Sequence, residues 1–152
     1  MIKQLSLQNE DIIDQIWNLQ QIAYRLEAEI IGFMDIPPLL DTHESLRALK
    51  EIFYGLLDEE GNLIGAVAVE SESKGSLTLT RMMVHPNHFR KGIAGQLIQY
   101  VFDHHPDIER FIVSTGAKNR PAFSLYVKYG FVPFDTFTVA PGVELTTFHK
   151  NI

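Results

Sequence analysis

The chain has 152 residues, 45% of them hydrophobic, which fits one domain with a proper core and argues against disorder or a multi-domain layout. A formal net charge of −6 and a pI near 5.4 argue against nucleic acid, whose phosphates are bound by clustered Lys and Arg, and favour cationic ligands while leaving room for a local basic pocket. The absence of cysteine excludes disulfides, thiolate metal sites and a cysteine nucleophile. Residues 1–10 carry no basic flank with an apolar run, and nowhere are there the roughly 20 apolar residues in a row of a membrane span, so a cytoplasmic protein without a membrane partner is expected.

Residues 2–7 alternate apolar and polar and predict a short half-buried strand. From 11 to about 31, Ile12, Ile16, Leu19, Ala23, Leu26 and Ile30 step by four and three and draw one stripe down a helix. Gly32, Pro37 and Pro38 stop it, and Asp41 with Glu44 three residues on predicts the capped start of a second helix through Lys50. The apolar runs 53–57 and 63–69 flank an Asp-Glu-Glu-Gly-Asn turn and form a hairpin; 77–84 adds a third strand rich in β-branched residues. Residues 92–103 are helical, 111–114 a short strand, 119–129 helical again, and 131–139 with 143–148 close the chain as two strands. The order β-α-α-β-β-β-α-β-α-β-β describes an α/β protein: one domain over residues 1–152, with a mixed sheet and helices on both faces.

One junction carries chemistry. The strand ending at Val84 runs through His85-Pro86-Asn87-His88-Phe89-Arg90-Lys91-Gly92-Ile93-Ala94-Gly95 into an apolar helix. A helix start offers unpaired amides and partial positive charge, which suits an anion. Gly92, Ala94 and Gly95 keep side chains small there, and Arg90 and Lys91 add cations. The chain has neither the Gly-Lys-Ser/Thr of a nucleotide phosphate loop nor a G-x-G-x-x-G fingerprint. Val84, Pro86, Gly92 and Ala94 resemble motif A of the GCN5-related N-acetyltransferases, Val-x-Pro followed by Gln/Arg-x-x-Gly-x-Gly/Ala; Phe89 departs from it, with the arginine displaced to Arg90. A second segment, Asn119-Arg120-Pro121-Ala122-Phe123-Ser124-Leu125-Tyr126-Val127-Lys128-Tyr129-Gly130-Phe131, is similar to that family's Asn-x-x-Ala-x-x-Leu-Tyr-x-x-x-Gly-Phe at every fixed position. Asn119, Ala122 and Tyr126 share one helix face, and Gly130 fits a left-handed helix cap with Phe131 folding back.

The resemblance implies a mostly antiparallel central sheet of the acyl-CoA N-acyltransferase type, splayed into a V between the strand at Met82, Met83 and Val84 and the next parallel strand. It implies acetyl-CoA as cosubstrate and no metal. The diphosphate would rest on Phe89, Arg90, Lys91, Gly92, Ile93, Ala94 and Gly95, the pantetheine would pair with Met82, Met83 and Val84, and Asn119 would also bind the cosubstrate. A backbone N–H of that strand would face the developing oxyanion and Tyr126 would protonate the leaving thiolate. Without cysteine, direct attack by the acceptor amine in a ternary complex is expected. The family's strand glutamate is missing, which leaves Glu70 and His85 as candidate bases acting through water. His104 and His105 are adjacent and point apart, which does not suit one metal ion. Glu27, Glu29, Asp35 and Asp41 make the acceptor side acidic, which suits a small amine or an exposed peptide amine. A non-catalytic acyl-CoA sensor on the same fold is the alternative, and homodimerisation is left open.

Overall fold

The computed structural model describes residues 1–152. Strand β1 (Ile2–Leu5) leads into helix α1 (Glu10–Ile31), a turn of 3-10 helix (Pro37–Leu40) and the short α2 (His43–Arg47). A meander of β2 (Ile52–Leu57), β3 (Leu63–Glu70) and β4 (Ser76–Val84) is followed by α3 (Ile93–His104), β5 (Arg110–Gly116), α4 (Arg120–Lys128), β6 (Val132–Ala140) and β7 (Val143–Asn151). All seven strands form one sheet in the order β1-β2-β3-β4-β5-β7-β6, and only the β4–β5 pairing is parallel.

The period of two sorts the strand side chains into two cores. Phe53, Ala66 and Ala68 face α1, and Tyr54, Val67 and Val69 face α3 and α4. Strand β4 begins in step, with Leu77 and Leu79 on the α3 face. Its register against β3 then shifts, because Ala68 pairs with Arg81 while Val69 pairs with Leu79, leaving Thr80 as one residue too many. The bulge exchanges the faces, so Arg81 and Met83 point toward α1 instead of into the α3 core. Pairing of β4 with β5 also stops there, at Leu79 opposite Val113, while β5 stays with β7 as far as Gly116 opposite Leu145. Beyond Thr80 the two parallel strands diverge.

Turned toward α1, Arg81 enters a nearly dry polar cluster. Its guanidinium makes close ion pairs with Asp41 and Glu51, the latter at 2.9 Å, and donates to Gln20 Oε1 at 2.8 Å. Gln20 in turn donates to Pro38 O and Asp41. This explains two departures from the expected elements. Asp41 does not cap α2, because its carboxylate is committed to Arg81; Thr42 and Ser45 form the reciprocal capping box, and the helix ends at Arg47. The buried face of α1 is Ile13, Ile16, Leu19, Gln20, Tyr24, Ala28 and Ile31, rotated from the expected stripe, because satisfied polar side chains occupy positions that a hydrophobic count skips. Of the expected stripe, Ile30 is 49% exposed.

Helix α4 ends as its sequence indicates: Gly130 has φ +91°, its amide bonds Val127 O, and the Phe131 amide reaches Tyr126 O at 3.0 Å while the Phe131 ring is buried. Strand β7 runs three residues past its expected end because β5 continues to pair with it up to Arg110 opposite Asn151.

Replacing Arg81 by Met leaves two carboxylates without their cation, and we expect Arg81→Met to lose about 3–5 kcal/mol of stability in a denaturant titration. A loss below about 1 kcal/mol would show that the carboxylates find solvent on their own.

Candidate functional site

The divergence of β4 and β5 leaves a mostly apolar cleft of about 940 Å³, walled by Leu79 to Val84 on one side and Val113 to Gly116 on the other. Helix α1 and the loop after it close one end, and α4 contributes Asn119, Ala122 and Tyr126. Thr80 sits where the strands part. Its Oγ1 is the one fully buried side-chain polar atom that has no hydrogen-bond partner, so an orphan hydroxyl marks the apex.

Met82, Met83 and Val84 all border the cleft, Met83 with its side chain in the α1 core. The His85 amide bonds back to Ile64 O in β3, so by alternation the amides of Met82 and Val84 face away from β3, toward the cleft. The Met82 amide has a partner there: it donates to the hydroxyl of Tyr24, at 2.9 Å. Tyr24 is a cleft residue that sequence reasoning missed, because a lone tyrosine on a helix reads as core. Its hydroxyl accepts from Met82 and keeps its own proton available to a third atom.

At the mouth, Phe89 and Arg90 reach the cleft, and Lys91 and Gly92 lie exposed beside it. Arg90 adopts φ +65°, a left-handed conformation costing about 1–2 kcal/mol for a residue with a Cβ, and Gly92 adopts φ +74° as the N-cap of α3. The first backbone amide of α3 to find a helical carbonyl is that of Gln96, on Gly92 O, so the amides of Ile93, Ala94 and Gly95 have no helical partner. Their side chains do other work. Ile93 is core, and a Cβ on Gly95 would lie 2.0 Å from the hydroxyl of Tyr129, the residue that ends α4, so packing of that tyrosine on α3 is by itself a reason for a glycine there.

Tyr126 is buried at 4% exposure, edge-on to Phe131 and tilted against Phe148. Burial, with the neighbouring Tyr24 and Glu27, holds its hydroxyl well above the ordinary phenol range. Tyr24 is pushed up likewise, by burial and then by the charge of Glu27. Asn119 caps α4 through Ala122 N and donates from Nδ2 to Glu27 Oε1 at 3.0 Å; Thr115 Oγ1 donates to the same oxygen at 3.1 Å. Glu27 thereby ties α1 to the far wall of the cleft.

The candidate bases are not brought there. Glu70 is exposed at the end of β3 opposite Thr78, and His85 uses Nδ1 to accept from the Asn87 amide; neither borders the cleft. His105 bonds the Tyr54 hydroxyl while His104 stacks on Tyr100, so the two imidazoles serve different partners. Of the four acidic residues expected on the acceptor side, Glu27 and Asp35 line the cleft, Asp41 is spent on Arg81 and Glu29 is exposed.

A family model described as acetyltransferase (GNAT) domain matches residues 20–133. The chain is 40% identical over 149 residues to UPF0157 protein YqkA of Bacillus subtilis (strain 168), covering 98% of this chain and 43% of that protein. It is 35% identical over 74 residues to the peptidyl-lysine N-acetyltransferase YiaC of Escherichia coli (strain K12), covering 49% of this chain and 46% of that protein. The chain thus spans less than half the length of the curated relatives it matches. An aminoglycoside 6'-N-acetyltransferase solved in complex with coenzyme A superposes with a TM-score of 0.77 at 13% identity, over 99% of this chain and 96% of that one, a likeness of fold.

The contact between Gly95 and Tyr129 gives a stability test. Gly95→Ala is expected to cost about 1–3 kcal/mol by overpacking, and Tyr129→Leu to restore most of it in the double variant; additive losses in urea titrations would contradict the packing role.

Proposed function

The chain belongs to the GNAT acetyltransferase family, and from that premise we propose that residues 1–152 form one N-acetyltransferase domain that transfers acetyl from acetyl-CoA to an amine, small or peptide-borne, by direct attack in a ternary complex. The observation that carries this reading is the parting of β4 and β5 at the Thr80 bulge, with unpaired amides at one end of the opening and the Tyr126 phenol inside it.

The residues fit such a cosubstrate. The amides of 93–95, with Arg90 and Lys91, offer a diphosphate what an otherwise acidic chain lacks. The free edge of β4 beyond Leu79 can pair with pantetheine amides as an added strand would. Acetyl-CoA supplies an activated thioester. The Met82 amide and the Tyr24 hydroxyl would be two donors for a thioester carbonyl oxygen, to meet the charge that develops during attack. Tyr126 stays protonated because burial disfavours its phenolate, and it can deliver a proton to the departing sulfur. Cavity walls rich in aliphatic side chains exclude water, and held orientation supplies much of the rate. The relative acting on peptidyl-lysine supports nitrogen as the acceptor atom. No helix is long and apolar enough to cross a membrane.

Calorimetry with acetyl-CoA followed by thiol-release assays over a panel of amines tests the proposal. Binding without turnover of any amine would support a sensor instead. Tyr126→Phe should lower kcat roughly a hundredfold or more while acetyl-CoA affinity stays within a few-fold; unchanged kcat would remove the acid role. Tyr24→Phe should lower kcat by about tenfold with little effect on KM for acetyl-CoA, and an unchanged or raised kcat would leave this phenol as a packing partner of Met82.

A further inference from the structure

The cleft contains more than the cosubstrate residues require. Between α1 and the turn after it, one wall is formed by Leu26, Ile30, Phe33, Ile36, Pro37 and Pro38. Among the charged side chains that border the cavity, Glu51 has a cation in Arg81, which it shares with Asp41, Arg90 stands at the mouth and Asp35 is exposed at the rim. Glu27 is different. Its Oε1 accepts from Thr115 and Asn119, two neutral donors on the opposite wall, while Oε2 receives no hydrogen bond from the protein. None of the four ion pairs in the protein includes it. A half-buried carboxylate, held in direction by those two bonds and without a cation, lines the same cleft as Tyr24 and Tyr126.

We infer that Glu27 receives the acceptor's amino group, and that the acceptor is a primary amine carried on an apolar body. The inference rests on the acetyltransferase reading and specifies its substrate class. A cationic nitrogen at Oε2 supplies the counter-charge the carboxylate lacks, and the apolar wall then covers the carbon skeleton next to it. Polyamines and aminoglycosides fit less well, because their further amines and hydroxyls would lie against Ile30, Phe33 and Ile36 without partners. An ammonium must lose a proton before its lone pair can attack, and an ammonium held at Oε2 would pass that proton to the carboxylate. In the balanced step one C–N bond forms and one C–S bond breaks. Of the two protons the nitrogen gives up, one leaves through Glu27 to solvent; the other restores Tyr126 after the phenol has protonated the sulfur.

Glu27→Gln separates charge from structure, because the glutamine carbonyl still accepts from Thr115 and Asn119. Steady-state thiol release is measured for wild type, Glu27→Gln and Glu27→Asp with phenethylamine, a hexapeptide with an amino-terminal leucine, spermidine and kanamycin. The first two report which source carries the apolar amine. At least one of them should exceed both polycations in kcat/KM by about tenfold or more. Glu27→Gln should raise the amine KM by about tenfold or more, with thermal midpoint and acetyl-CoA affinity unchanged, and Glu27→Asp should recover part of the loss. Ile30→Lys, at an exposed site on the same wall, should fold normally and lower kcat/KM for the apolar amine. An unchanged amine KM in Glu27→Gln overturns the role of Glu27 alone. Preference for the polycations, or indifference to Ile30→Lys, overturns the apolar class. Absence of turnover by wild type with every amine, despite acetyl-CoA binding, removes the acetyltransferase reading and this inference with it.

Discussion

Thr80 gives β4 one residue more than its partner β3 can match, and the consequences of that mismatch run through the molecule. Because side chains alternate with a period of two, a single extra residue exchanges the faces of everything after it. Arg81 is thereby carried out of the α3 core and into the cluster of Asp41, Glu51 and Gln20, which fastens α1 and the approach to α2 onto the sheet. The same residue ends the pairing with β5, so the sheet opens where its two parallel strands would otherwise zip together. One local irregularity produces both the cleft and the polar anchor beside it.

Around that opening, each wall supplies a different chemistry. β4 and the start of α3 present main-chain amides, which carry partial positive charge without altering a composition that totals −6. Helix α1 supplies Tyr24, bonded to the Met82 amide, and Glu27, bonded across to Thr115 and Asn119. Helix α4 supplies Tyr126 from a face fixed by the Asn119 cap at one end and the Gly130 and Phe131 cap at the other. On the proposed reading the anionic cosubstrate meets amides at one end and the cationic acceptor meets a carboxylate at the other, so the two reactants are sorted by charge before they meet.

What could be read from the chain alone followed from local rules. The order of strands and helices, the loop before α3 and the second motif from Asn119 to Phe131 are each written in contiguous residues, where glycine, capping and hydrophobic period act within a few positions. Helix α1 was legible as a helix but not in its rotation, because Gln20 and Tyr24 are buried through partners on β4 and the loop after α1. Asp41 has the local pattern of a helix cap, but its carboxylate is taken by Arg81 on β4, a partner forty residues away. Gly95 was visible as a small residue, but Tyr129, which packs against it, ends another helix.

The sequence by itself determined the family resemblance, the element order and the residues of the two motifs, since those depend on interactions between near neighbours. Only the tertiary structure decided that Glu27 borders the cleft and Glu70 does not. Glu70 and Glu27 are equally plain glutamates in the chain, and what separates them is that Thr115 and Asn119, some ninety residues beyond Glu27, close upon its Oε1 while Glu70 ends its strand in solvent. Hydrogen bonds between residues so far apart in sequence depend on how α1 crosses the sheet, and no local pattern encodes that crossing.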